Sequence, residues 1–417
     1  MAKKVFSNMA QIGIYIVYLI VALMFLNGAA LAVLAAMPRF VQDDPNDIFS
    51  RLNGSLKAHA LGWFRLSAEQ WPVYEAETRL MHRFGYVYEP FVEFRHSPVT
   101  GITLNMSEHG FRPVMEQGPW PPPSDQYTIF FFGGSTAMHF GPDWTGIANR
   151  LQDALAGSTK KQVKIYNFGR GAYFSSQEAL LYLDLVCRGY IPNMAIFLDG
   201  LNDFYFHDGV PATGAIFRDA LRRHARSGLD ETGSRPNWHA LRMFWNSLPV
   251  PRLIDRLIDR HLTRTEQTAV YRTESLTPMA ADAVIRRYLF NKNVIERVSE
   301  ENGTRAVFVW QPVPGYRYDL RHHIAMHPTQ GLCGHERSGM GYARMAEWVA
   351  ASPMGDTFIW LADLQDERAE PLYVDAVHYT AAFADAIADA IAQALVSRGL
   401  LAPSPRPRVS DSETAPT

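Results

Sequence analysis

YTIFFFGGSTAMHFG, residues 127 to 141, joins two kinds of structure within fifteen residues. The run Tyr127 to Gly133 is apolar throughout and rich in aromatic side chains. It is too short for a buried helix and is closed by glycine, so it predicts a strand buried on both faces. Such strands belong to parallel sheets covered by helices on each side. Four more runs have the same character: VKIYNFG (163–169), MAIFLDG (194–200), RAVFVWQP (305–312) and TFIWLAD (357–363). Helical patterns fall between them, at about 144–155, 176–188, 278–302, 341–351 and 381–398. Thr277 followed by Pro278 is a strong helix start, because Thr can cap and Pro fits the first turn. Strands alternating with helices predict one doubly wound α/β domain with five parallel strands.

In such sheets ligands bind at the carboxyl ends of the strands, and Ser135 stands at one. A serine hydroxyl is a weak nucleophile. It needs a base, usually a histidine oriented by a carboxylate, and N–H donors for the developing oxyanion. Gly133 and Gly134 allow a sharp turn before Ser135 and a close approach of substrate to the backbone. The competing reading makes Ser135 or Thr136 a helix cap. The second strand ends in NFGRGAYFSSQE (167–178), whose glycines let a backbone amide face a cleft. The third ends in DGLND (199–203), where Asn202 offers a side-chain amide. After the fifth comes VDAVHYT (374–380), with Asp375 and His378 three apart. One helical turn would bring that pair to the same face. Singly, each piece reads as a turn or a cap. Four in order, each following a predicted strand, point to catalysis.

The glycine-rich turns do not suit a nucleotide. The third glycine of a dinucleotide fingerprint is replaced by Phe174, and neither cluster is followed by a phosphate-loop lysine. No cofactor is implied. RHHIAMHPTQGLCGHE (321–336) gathers His322, His323, His327, Cys333 and His335, but the spacing matches no standard zinc site, so no metal is expected. His139 is expected on a helix surface. Arg170 and Tyr173 flank the second glycine block and are candidates for substrate contact.

The N-terminus predicts a membrane helix. No charged residue lies between Lys4 and Arg39, and residues 12–37 are almost wholly apolar. That exceeds the roughly 20 residues needed to cross a bilayer core and the 7–15 residues usual for a signal-peptide core. Lys3 and Lys4 precede it, and Asp43, Asp44 and Asp47 follow, which predicts a signal anchor with a cytoplasmic N-terminus and an exported body. The expected layout is a cytoplasmic segment 1–8, an anchor 9–37, a lead-in 38–124 ending in the proline-rich GPWPPPSDQ (118–126), a catalytic domain 125–400 and a disordered tail 401–417. Residues 209–276 interrupt the strand–helix rhythm with eleven arginines, no lysine and seven acidic residues. There Arg252, Arg256, Arg260 and Arg264 recur four apart beside an apolar stripe, predicting an amphipathic helix, either with a solvated face or as a cap toward anionic polymer or headgroups. The net charge of -2, with 40 basic against 42 acidic residues, gives no footprint for nucleic acid. Two cysteines, Cys187 and Cys333, make no disulfide framework.

The ordered set, Ser135 in GGST, Gly171 in NFGRGAY, Asn202 in GLND, and Asp375 with His378 in DAVH, resembles the SGNH hydrolase superfamily of GDSL-like esterases and acyltransferases. The resemblance covers about 125–208 and 281–400, with the arginine-rich segment as an insertion. It implies a flavodoxin-like three-layer α/β/α sandwich with a five-stranded parallel sheet. It also implies Ser135 as nucleophile, His378 as general base partnered by Asp375, and an oxyanion hole from the amides of Ser135 and Gly171 with the side chain of Asn202. Two departures stand out. The acidic residue that usually precedes the serine is Gly134 here, and spacing from Asn167 admits Ala172 as well as Gly171 as the amide donor. The GGST form behind an anchor is similar to exported members linked to cell-envelope or extracellular polysaccharides. The expected function is therefore a membrane-anchored esterase or O-acyltransferase acting on an acyl, foremost acetyl, ester of a glycan. The alternative is a non-catalytic, membrane-tethered glycan-binding or polysaccharide-assembly protein that keeps the fold.

Overall fold

The computed structural model describes residues 2–36, 48–211, 248–250, 253 and 276–402. The chain divides into two units, Met1–Asp47 with Arg222–Thr273, and Ile48–Leu221 with Glu274–Thr417. In the first, helix α1 (Ala2–Ala36) contains a stretch, Gly13–Val33, long and apolar enough to cross a membrane. The one amide side chain within Gly13–Val33, Asn27, donates back to the Leu23 carbonyl at 2.8 Å and accepts from the Val250 amide at 3.2 Å. The proposed arginine-rich helix and the tail beyond residue 402 lie outside the described residues.

The second unit opens with α2 (Ile48–Asn53), α3 (Lys57–Phe64), α4 (Trp71–Phe84) and an antiparallel hairpin of β1 (Tyr86–Glu89) and β2 (Glu93–His96). Five parallel strands follow: β3 (Tyr127–Gly133), β4 (Val163–Asn167), β5 (Met194–Asp199), β6 (Arg305–Trp310) and β7 (Phe358–Trp360). Their order is β4-β3-β5-β6-β7. This is the flavodoxin-like arrangement, with the first strand at the topological switch point. Alternation along β3 divides its side chains between two cores. Ile129 and Phe131 face α6 (Ile147–Ala154) and α11 (Ala381–Ser397). Phe130 and Phe132 face α7 (Ser175–Cys187) and α9 (Pro278–Asn302), with α10 (Glu336–Ala351) completing that layer. The α/β/α sandwich expected from the apolar runs is therefore present.

Local signals set several boundaries. Thr277 caps α9 by accepting from the Ala280 amide, Pro278 opens it and Gly303 ends it in the left-handed conformation. The expected helix at 144–155 is interrupted instead: a 3-10 turn, Asp143–Thr145, precedes α6, with Gly146 between them. α10 begins at Glu336, a turn and a half earlier than its apolar pattern suggests. The proline-rich stretch is not a boundary between units. Trp120 packs on Phe111, Tyr166, Phe168 and Tyr190, and so fastens the lead-in to the sheet's own core. The lead-in helices likewise form an aromatic cluster of Phe49, Phe64, Trp71 and Tyr74 that includes Val374, at the start of the Asp375–His378 turn.

Candidate active site

Ser135 is not the cap of its helix. Gly134 holds that position in an extended conformation, and Ser135 is the first residue of α5 (Ser135–Met138). The two glycines before it are required sterically. Gly133 has φ +151°, and a Cβ there would lie 2.5 Å from the Ala137 Cβ. A Cβ on Gly134 would lie 2.3 Å from Asn202 Nδ2. The Asn202 carboxamide therefore lies where a side chain at 134 would begin. α5 is a single turn ending at His139, whose φ of +73° redirects the chain.

His139 is not on a helix surface. It is buried, its Nε2 lies 2.7 Å from Thr145 Oγ1, and burial, reinforced by the charges of Arg112 and His378, holds its pKa well below the ordinary value. Arg112, which no sequence pattern singled out, closes this turn from the lead-in. Its buried guanidinium pairs with Asp143 at 2.9 Å and donates to the Met138 carbonyl at 3.0 Å and also to those of His139 and Gly141.

Asp375 and His378 do meet, though not on a helix. Their loop is a tight turn closed by an antiparallel bridge between Tyr373 and Tyr379 and by a 2.8 Å bond from the Val374 amide to the His378 carbonyl. Asp375 Oδ1 accepts from the Val377 and His378 amides at 2.9 Å each, and Oδ2 lies 2.6 Å from His378 Nδ1. A carboxylate can satisfy three donors at once, so the side chain organises the turn in place of helical bonds. Burial pushes the Asp375 pKa up, but the charge and hydrogen bonds of His378 outweigh it and hold the carboxyl well below its usual range. The ionised acid keeps the proton on Nδ1 and leaves Nε2 as the acceptor. Nε2 is buried with no hydrogen-bond partner among the described residues. The Phe140 ring, on the segment leaving Ser135, lies 5.2 Å from the imidazole and joins the two loops.

The other expected residues lie at the same edge of the sheet. Asn202, in α8 (Leu201–Tyr205), donates to the Tyr173 carbonyl at 2.7 Å while lying against Gly134. The Gly171 amide is directed to His96 Nε2 at 3.3 Å. The next amide, that of Ala172, has no described acceptor, and Ala172 holds φ +63°, an unusual value for a residue with a Cβ. Arg170 and Tyr173 do not face a cleft. Both are about 1% exposed. Arg170 pairs with Glu89 at 2.7 Å and donates to the Phe94 carbonyl and Tyr173 hydroxyl, while the single Tyr173 proton is shared between the Phe94 and Val92 carbonyls. Arg170 Nη1 and the Tyr173 hydroxyl are committed to the β1–β2 hairpin, and both side chains are buried, so the geometry gives both a structural role in place of substrate contact.

The histidine-rich stretch surrounds the Asp375–His378 turn. His323 stacks on Tyr373 and lies 3.3 Å from the Ala376 carbonyl, and His327 accepts from the Gln330 amide at 3.0 Å. His335 stacks on Tyr205, and burial with the nearby His378 charge depresses its pKa to about 3. Among the described residues no group of three His, Cys, Asp or Glu side chains is arranged to hold a metal ion. Cys187 and Cys333 are separate free thiols.

Behind Asn202, three buried carboxyls, Glu178, Asp199 and Asp203, meet between α7, β5 and α8. Burial, then the neighbouring acids, raises Glu178 well above its ordinary value, and Glu178 shares a hydrogen bond with Asp199. The folded state thus retains protons that the unfolded chain releases above about pH 4.5, so stability falls as pH rises beyond that value. Glu178→Gln keeps a donor to Asp199 without the titration. As pH rises above 5, its thermal midpoint is expected to decline less steeply than the wild type's. Equal slopes in differential scanning calorimetry would remove the shared proton.

No protein-family model and no curated protein matches the sequence. Solved structures similar to the chain include a GDSL-like lipase from Bacteroides thetaiotaomicron, 12% identical over 67% of this chain and 91% of its own, with a TM-score of 0.31. A lipase/acylhydrolase from Enterococcus faecalis is 11% identical over 66% and 97%, at a TM-score of 0.29. A psychrotrophic esterase from Pseudoalteromonas is 13% identical over 65% and 98%, at 0.28.

Proposed function

We propose that this chain is a serine esterase or O-acyltransferase of the SGNH type. The observation that carries the reading is the Asp375–His378 pair, held at 2.6 Å with Nε2 unpartnered among the described residues, beside the loop that follows Ser135 at the switch point of a flavodoxin-like sheet. In this reading Ser135 Oγ attacks an ester carbonyl while His378 Nε2 takes its proton, and Asp375 stabilises the imidazolium. The oxyanion is met by the Ser135 amide, the Asn202 side chain, and the Ala172 amide in preference to Gly171, whose N–H is engaged by His96. His378 then returns its proton to the leaving alkoxide, and the acyl group stays on Ser135. Water or a sugar hydroxyl, deprotonated at the same Nε2, takes the acyl group away, and that proton passes from Nε2 to the departing Ser135 Oγ. The first outcome is an esterase and the second a transferase.

The apolar helix α1 supports a membrane anchor, and Lys3 and Lys4 before it support a cytoplasmic N-terminus with the catalytic domain on the periplasmic or extracellular side. An exported site fits an acyl ester, foremost acetyl, on a cell-envelope or extracellular glycan. The test is covalent labelling of the full chain in mild detergent by a fluorophosphonate, with hydrolysis of acetylated glycan followed as released acetate. A folded chain that neither labels nor releases acetate would return the protein to the glycan-binding alternative. Within this scheme Asn202→Ala is expected to lower kcat by roughly 10²–10³, read from steady-state kinetics on a simple acetyl ester. An unchanged kcat would remove Asn202 from the oxyanion hole.

A further inference from the structure

We propose that Gln311 is a positioning residue that sets the nucleophile against the base, through one carboxamide oxygen shared by the residues that follow each of them. The inference rests on the reading of Ser135 and His378 given above. Gln311 directly follows β6. Its Oε1 accepts from Thr136 Oγ1 at 2.6 Å and from the Tyr379 hydroxyl at 2.8 Å. Thr136 follows Ser135, and Tyr379 follows His378. A carboxamide oxygen has two lone pairs and can take both donors.

The rest of Gln311 is fixed to the sheet. Its backbone amide donates to the Asp199 carbonyl at 3.2 Å, and its Nε2 to the Leu198 carbonyl at 3.4 Å, both on β5. Gln311, Thr136 and Tyr379 are each about 2% exposed, so water does not compete for these bonds. The Tyr379 phenol is pushed well above its ordinary pKa by burial and stays a donor. Its single proton is shared between Gln311 Oε1 and the Pro312 carbonyl, 2.7 Å away, and both acceptors lie on the segment that leaves β6.

The need for such a tie follows from the topology. Ser135 leaves β3, while His378 lies on the segment after β7, and β5 and β6 lie between those strands in the sheet. A base must come within about 2.6–3.2 Å of the proton it abstracts, and a 1 Å misplacement costs about 10²-fold in rate. Gln311 stands between the two loops and pins one neighbour of each. It touches neither Ser135 nor His378, so its effect is on their placement.

The test uses the full chain in detergent, with Gln311→Leu, Thr136→Val, Tyr379→Phe and the triple variant. Gln311→Leu leaves the buried Thr136 hydroxyl unpaired, with Tyr379 keeping the Pro312 carbonyl as its acceptor, which destabilises the protein, whereas the triple variant removes both hydroxyls and the carboxamide together and relieves the unpaired donor. Positioning predicts that kcat and the rate of fluorophosphonate labelling fall about 10–10²-fold in Gln311→Leu with KM little changed. It also predicts that they stay low in the triple variant while its melting temperature returns toward wild type. Kinetic recovery that tracks the melting temperature would assign Gln311 a purely structural role and overturn the proposal. If Gln311→Leu does not fold, the single hydroxyl deletions carry the test: each is expected to lower kcat several-fold, and two unchanged values would overturn it. Wild type that labels while the variants label equally fast sinks this inference alone. Wild type that does not label at all sinks the serine-nucleophile reading, and this inference with it.

Discussion

Replacing Ser135 by alanine is expected to abolish fluorophosphonate labelling and to lower kcat by roughly 10⁶-fold, the scale seen when a serine nucleophile is removed from a working triad. The substitution deletes one oxygen. Because Gly134 holds the cap position, the substitution leaves the helix start as it is. The melting temperature should stay within a degree or two of wild type, so loss of rate would not be loss of fold. Some acceleration over water should persist, since Asn202 and the backbone amides would still meet the developing oxyanion. Labelling that survives in Ser135→Ala would place the nucleophile elsewhere and separate this chain from the proposed chemistry.

Asp375→Asn is expected to be the next most damaging change, with kcat falling by roughly 10⁴-fold. An amide in place of Oδ2 can present N–H to Nδ1, which favours the tautomer with its proton on Nε2, and that nitrogen can no longer accept from Ser135. The same carboxylate also accepts from the Val377 and His378 amides, so the variant additionally tests the turn. The acid's pKa is lower in the folded state than its ordinary value of 3.8. Its contribution to stability is therefore complete above that value and is lost as pH falls through the lower, folded one. Wild-type melting temperature should drop below about pH 4, and Asp375→Asn should drop less over that interval. Parallel curves from pH 6 to pH 3 would show that the pair contributes little to folding. A kcat within tenfold of wild type would show that His378 does not depend on it for orientation.

What could be read along the chain was whatever neighbouring residues decide among themselves. The apolar run at Tyr127–Gly133 matched its strand at both ends, and Pro278–Asn302 matched its helix, because burial pattern and end signals act over a few residues. Strand–helix alternation was enough for the parallel sandwich, since few other packings bury such strands on both faces. The Asp375–His378 pairing was legible for the same reason, being three residues apart, although the carboxylate folds a turn there and not a helix. Everything that needed a distant partner was hidden. Whether Arg170 faces substrate or a hairpin depends on Glu89 and Phe94, some eighty residues earlier. Whether the Gly171 amide is open depends on His96, and whether residue 134 can carry a side chain depends on Asn202. Arg112 and Gln311 have no local signature at all, and Gln311 meets Thr136 across 175 residues of chain. A side chain's hydrogen-bonding capacity is written in its own chemistry, but its direction is set by whichever segment packs opposite it, and only the folded chain brings that segment there.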